Sequence, residues 1–191
     1  MSRLPIVMVN KNTLWSKNIS LRQKCSPVDI ANPEELAFAQ TVISEMFRTL
    51  YGDPSSVALA APQVGVLLQI TTIDYQERDT KERCLFALLN PEIIKYSDET
   101  MDEQEICLSV PNFTGHVKRA KFIDVNAYDP QGKPLAIHAE GFFARVLQHE
   151  IDHLSGMLYI DKIDGELEQV PDFPERRMKP TMTKLGLPTK E

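Results

Sequence analysis

The sequence predicts an α+β fold, antiparallel β-strands around a buried central helix, and three observations support this. The stretch Gly141 to Gly156 carries apolar residues at Phe142, Val146, Leu147, Ile151 and Leu154 with no internal Gly or Pro. That is the pattern of a helix buried over much of its circumference. Directly before it, residues 117 to 139 alternate apolar and polar side chains around the turn Asp129-Pro130-Gln131-Gly132-Lys133-Pro134, as a β-hairpin does. A second helical pattern, over 33 to 51, stands far upstream and is expected to pack outside the strands.

At 191 residues the chain is long enough for one compact domain, expected over 1–165, followed by a polar, Pro-containing tail over 166–191. Hydrophobic content of 42% and charged content of 25% are ordinary for a globular protein. A net charge of -6 disfavours direct nucleic-acid binding, because the positive footprint for phosphate is missing. Cys25, Cys84 and Cys107 are odd in number and unpaired in spacing, which argues for a reducing compartment. The short apolar N-terminus contains Pro5 and runs into Asn10, Lys11 and Asn12, so it does not make a signal peptide. No apolar run is long enough to cross a bilayer, so a cytoplasmic protein is expected, an organelle form being the alternative.

Taken in order, residues 1 to 31 read as an extended arm with little regular structure. Asn32-Pro33-Glu34-Glu35 supplies a cap, a proline at the first helical position and acidic residues in the first turn. A helix follows, with Leu36, Ala39, Val42, Ile43, Met46, Phe47 and Leu50 on its core stripe and Gly52 and Pro54 as its stop. Ser55 to Gly65 is a run of small residues holding one amide, Gln63. Such a run lets a ligand or backbone approach closely and aims the amide into a cleft, or else it is a tight turn with Gln63 in water. Val66 to Asp74 and Cys84 to Ile94 are rich in β-formers, with a polar turn near 76–79. Cys107, between Ile106 and Leu108, lies at a strand or loop edge before Pro111.

The central helix carries the chemistry. His149 and His153 are four residues apart and share one face, so both imidazoles can reach a single ion, and Glu150 can reach a water beside it. The plain alternative is two core histidines with Glu150 and Asp152 on a solvated edge. A hydrolytic metal site needs three protein ligands, and Cys107, His116, His138 and the acidic residues are candidates for the third. Cys107 is the best of them, since a thiolate binds more strongly than a carboxylate and His138 lies in an alternating, surface-like strand.

Three ordered stretches then resemble the peptide deformylase family: Ser56-Val57-Ala58-Leu59-Ala60-Ala61-Pro62-Gln63, Glu105-Ile106-Cys107-Leu108-Ser109 and His149-Glu150-Ile151-Asp152-His153. The likeness extends through Arg119-Ala120, Gly141 and Gly156-Met157-Leu158-Tyr159, and spans most of residues 4 to 164. It implies that Cys107, His149 and His153 hold one divalent metal ion, Fe2+ in the cell with Zn2+, Ni2+ or Co2+ tolerated. It makes Glu150 the acid/base, and faces Gln63 and the Leu108 N–H toward the oxyanion. The implied substrates are nascent N-formylmethionyl peptides, met at the ribosome, and the product is formate. Val57, Phe142 and Val146 fall where the family shapes a pocket for methionine, core packing being the alternative. Ser56, Ala58 and Ile106 stand where the family expects glycine, and Thr114 where many members carry Arg. Ala58 and Ile106 narrow the cleft, from which we expect an intact metal site with shifted N-formyl or N-acyl substrate preference. A metal-binding homologue with little turnover is the non-catalytic alternative.

Overall fold

The computed structural model describes residues 4–9, 19–52, 56–76 and 83–170. Helix α1 (Pro33–Leu50) begins where expected. The Asn32 side chain accepts hydrogen bonds from the N–H groups of Glu34 and Glu35 at 3.0 and 3.4 Å, satisfying donors that the first turn leaves free. Its stripe of Ala39, Val42, Ile43, Met46 and Leu50 is buried against Leu59, Ile70 and Leu89.

Among the described residues eight strands follow it: β1 (Ala58–Ala60), β2 (Ile70–Gln76), β3 (Arg83–Tyr96), β4 (Thr100–Cys107), β5 (Val110–Ala120), β6 (Phe122–Tyr128), β7 (Pro134–Glu140) and, after helix α2 (Gly141–Leu154), β8 (Glu168–Gln169). They form a five-stranded sheet in the order β1-β2-β3-β6-β7 and a three-stranded sheet in the order β4-β5-β8. All ladders are antiparallel. Of the hairpin read over 117 to 139, residues 122–139 form the β6–β7 pair, with Asp124 opposite His138, whereas 117–120 belong to β5 and pair with β4 in the other sheet.

Helix α2 lies between the sheets and shows each a different chemistry. Ala144, Val146 and Leu147 pack with Ile73, Leu88, Ile123 and Val125 of the large sheet. Toward the small sheet the helix turns Arg145, whose guanidinium donates to the carbonyls of Val117 on β5 and Met101 on β4 at 2.8 and 2.7 Å. A helix covered on both sides buries polar residues such as Arg145, Gln148 and Asp152 along with its apolar ones.

The N-terminal arm has little regular structure where it is described, as expected, but its backbone is tied down. Val7 N–H donates to the Gln63 carbonyl at 2.7 Å and Val9 N–H to the Ser109 carbonyl at 2.8 Å, so the arm braces both segments that approach the metal ligands. Residues 20–22 form a short 3-10 turn packed under Gly156. Gly156 has φ +75°, and a Cβ there would meet the Arg22 carbonyl at 2.7 Å, so both conformation and space demand glycine. The tail departs from expectation at its start, since β8 pairs with the edge of β5 opposite Phe113 and Thr114. The turn expected at 76–79 and the tail beyond 170 lie outside the described residues apart from Gln76, which ends β2. Among the described residues no helix is long and apolar enough to cross a membrane.

Candidate metal centre

The β4–β5 hairpin and α2 bring Cys107 to the two helix histidines. Cys107, His149 and His153 each offer one donor atom, and all three atoms lie within 4.8 Å of one another. The Cys107 Sγ is 3.3 Å from Nε2 of His153, and the two imidazoles stand edge to face with centroids 4.9 Å apart, as i and i+4 neighbours do. His116 and His138, the other imidazole candidates, pair with Asp102 and Asp124 on exposed strand faces and do not join the cluster.

The surrounding groups fit a cation. Glu150 Oε2 is buried without a hydrogen-bond partner among the described residues, a costly arrangement in a dry protein interior unless something else occupies the site. A thiolate and two imidazoles suit zinc and other late divalent ions. Both acids expected at a solvated edge in the plain alternative are inside: Glu150 is 5% exposed and Asp152 8%.

Electrostatics sort the three titratable helix groups. Burial pushes Glu150 up to about 7, offset in part by the neighbouring His149 charge. Burial alone would lower His149, but hydrogen bonds and negative charge from Cys107 and Glu105 raise it well above the usual imidazole value. His153, buried beside the His149 and Arg119 charges, is held well below it.

Gln63 is buried in a 3-10 turn, Ala61–Val64, that follows β1. Its Oε1 accepts the Ala60 N–H at 2.8 Å, which turns Nε2 toward Ser109 Oγ at 3.2 Å and Cys107 Sγ at 3.5 Å. The tight turn is therefore real, and the amide is in the site, not in water. The cluster opens on a cavity of about 390 Å³ lined by Val57, Ala58, Ile106, Leu108, Phe142 and Val146 together with Gln63, Cys107, His149 and Glu150. Ile106 and Phe142 keep 41% and 43% of their surface exposed, so they are wall and not core. Thr114 is buried, with its hydroxyl donating to the Glu105 carbonyl at 2.9 Å.

Sequence reasoning passed over the charges behind the ligands. Glu105 is buried and accepts from Arg119 Nε and Nη2, both at 2.8 Å, from Arg145 Nη1 at 2.7 Å, and from His149 Nδ1 at 2.8 Å. Burial would raise its pKa, but the Arg119 and His149 hydrogen bonds and charges outweigh burial and hold it well below the usual carboxylate range. Arg119 also pairs with Asp152, which takes a second bond from Lys162 at 2.7 Å. The available signal was periodicity. Glu105 is two residues from Cys107 on a strand and Arg145 four from His149 on a helix, so each shares a ligand's face.

Comparison with known proteins agrees with this geometry. The family model described as polypeptide deformylase matches residues 5–169. The peptide deformylase of Lachnoclostridium phytofermentans is 42% identical over 135 residues, 71% of this chain and 80% of that one. That of Symbiobacterium thermophilum is 38% identical over 174 residues, 87% of this chain and 76% of its own. Among solved structures, the peptide deformylase of Ehrlichia chaffeensis superposes with TM-score 0.73 at 29% identity, covering 85% of this chain and 89% of that one. A class I type b peptide deformylase from Acinetobacter baumannii bound to Met-Ala-Ser gives 0.71 at 28% identity, covering 85% and 99%. By sequence and by fold, the chain belongs to the peptide deformylase family.

Proposed function

We propose that the protein hydrolyses the formamide bond of N-formylmethionyl peptides, with Cys107, His149 and His153 holding one divalent ion. The observation that carries this is the cluster of one cysteine sulfur and two imidazoles within 4.8 Å, next to a buried carboxyl group and opening on an apolar cavity. When bound, the ion supplies Lewis acidity, acidifying water and polarising a carbonyl. Glu150 accepts the proton of the attacking water and later delivers it to the leaving amine nitrogen, and its raised pKa of about 7 suits both transfers at neutral pH. Gln63 Nε2 and the Leu108 N–H donate to the oxygen on which charge develops, while the fixed Ala60–Gln63 contact means that the amide needs no reorientation during reaction. Val57, Phe142 and Val146 receive the methionine side chain, with Ala58 and Ile106 flanking the peptide.

The donor set accepts Fe2+ and Zn2+ alike. None of Cys25, Cys84 and Cys107 is in a disulfide, which suits a reducing compartment such as the cytoplasm, where nascent chains leave the ribosome. We assign this chemistry to one unit, expected over 1–165 and extended by β8 to at least residue 169. Anaerobic purification with metal analysis, paired with formate release from a formyl-Met peptide, tests the assignment. One equivalent of metal and stoichiometric formate are expected. Absence of both overturns it, and full metal with no formate, unchanged by Glu150→Ala, leaves a metal-binding homologue.

A further inference from the structure

Opposite α2, the cavity is lined from two strands that are sheet edges among the described residues: β1 ends the large sheet and β4 ends the small one. A cleft between two edges holds an extended peptide as an added strand. On β4 the Glu105 carbonyl points across to β5, where it accepts the Thr114 hydroxyl. The β4–β5 ladder shifts register between the Glu105–Gly115 and Cys107–Val110 pairs, so Ile106, which lies between them, is matched to no residue of β5 and can offer its backbone to a peptide in the cleft. Side chains alternate as well: Glu105 and Cys107 are buried toward α2, and Ile106 stands on the opposite face with 41% of its surface exposed.

This fixes which substrate residue meets Ile106. In the function proposed above, on which this inference rests, the methionine side chain enters on the α2 side, among Phe142 and Val146. In an extended peptide the next side chain points to the opposite face, the Ile106 face. Residues directly opposite each other on paired strands have their Cβ atoms within about 5 Å, close enough for side-chain packing.

The geometry points to Ile106 as the residue that reads the second position of the formylated peptide, favouring apolar side chains there and rejecting acidic ones. No cation stands ready beside it: among the described residues that line the cavity the basic ones are Arg145, committed to Glu105 and to the Val117 and Met101 carbonyls, and His149, held by Glu105.

The test is kcat/KM of the metal-loaded enzyme on formyl-Met-X-Ser with X as Leu, Gly and Asp, for wild type, Ile106→Gly and Ile106→Lys. Ratios between substrates are compared within each protein, so a change common to all substrates does not count. Wild type is expected to favour Leu over Asp by about tenfold, expressed mainly in KM, as one apolar contact allows. Ile106→Gly should shrink that ratio to about twofold, and Ile106→Lys should invert it. Varying the third residue instead should change each rate by less than about twofold, since its side chain leaves the Ile106 face. Formate release with the same ratio in all three proteins overturns the assignment while leaving deformylation intact. Metal-loaded wild type that releases formate from none of the peptides overturns the function beneath it as well.

Discussion

Nδ1 of His149 lies 2.8 Å from Oε2 of Glu105, and that carboxylate is itself gripped by Arg119 and Arg145 at 2.7 to 2.8 Å. An ionised carboxylate only accepts, so Nδ1 carries the proton and Nε2 is left as the ligand atom. The strand that supplies the thiolate thus also sets the tautomer of an imidazole on the helix, and Glu105 acts as a positioning residue for His149.

Glu105→Gln is expected to weaken metal binding by about 10 to 100-fold, measured by competition with a chromophoric chelator. It also leaves two buried guanidiniums short of a counter-charge, so unfolding in urea should show a loss of about 3 kcal/mol. Unchanged metal affinity with lowered stability would mean that the carboxylate serves the fold alone.

Glu150→Gln should keep its metal and lose about a thousandfold in kcat, the range of a general acid/base. Its metal-free form should show a second effect. A carboxyl raised from 4.5 to about 7 in the folded state contributes stability that is fully present below 4.5 and is lost as pH rises through about 7. The variant lacks that loss, so its stability relative to wild type should improve between pH 5 and pH 8, read from denaturation midpoints of the apo-proteins. A gap that stays constant with pH would contradict the burial of a titrating carboxyl.

Metal affinity should fall as pH is lowered. His149, raised above its ordinary 6.5 by Glu105 and Cys107, holds a proton that the ion must displace, so proton and metal compete below that raised value. Calorimetry in buffers of different ionisation enthalpy should show proton release on binding, and Glu105→Gln should reduce it. Acid should unfold the protein through Glu105: its lowered pKa gives stability that is present above 4.5 and lost as pH falls toward the folded-state value.

Gln63→Ala should lower kcat by about a hundredfold with little change in KM, if its amide serves charge that appears only in the transition state. A rise in KM alone would make it a ground-state contact.

Gly156→Ala should cost about 2 kcal/mol or more, since it combines a left-handed φ with a Cβ at 2.7 Å from the Arg22 carbonyl. A fall in thermal midpoint of about 4 °C or more is the measurable form. Gly141 offers the control: its φ is +61° but no atom lies within 4 Å of a Cβ, so Gly141→Ala should cost less.

How much of this was legible in the chain follows from the range over which each interaction acts. The α2 pattern, the β6–β7 hairpin, the Asn32 cap and the His149–His153 spacing depend on neighbours a few residues apart, so the sequence alone determined them. It also marked Cys107 as the third donor, by its chemistry. What it left open were contacts between residues far apart in the chain: whether Gln63 faced water or the site, whether Phe142 was core or wall, and that Glu105, Arg119 and Arg145 form one buried charge cluster behind His149. Only the tertiary structure decided these, because a side chain's environment is set by which distant segments pack against it. Here α2 lies between two sheets, apolar toward one and charged toward the other, and that placement turns a helix motif into a site with a fixed tautomer and a shaped cleft.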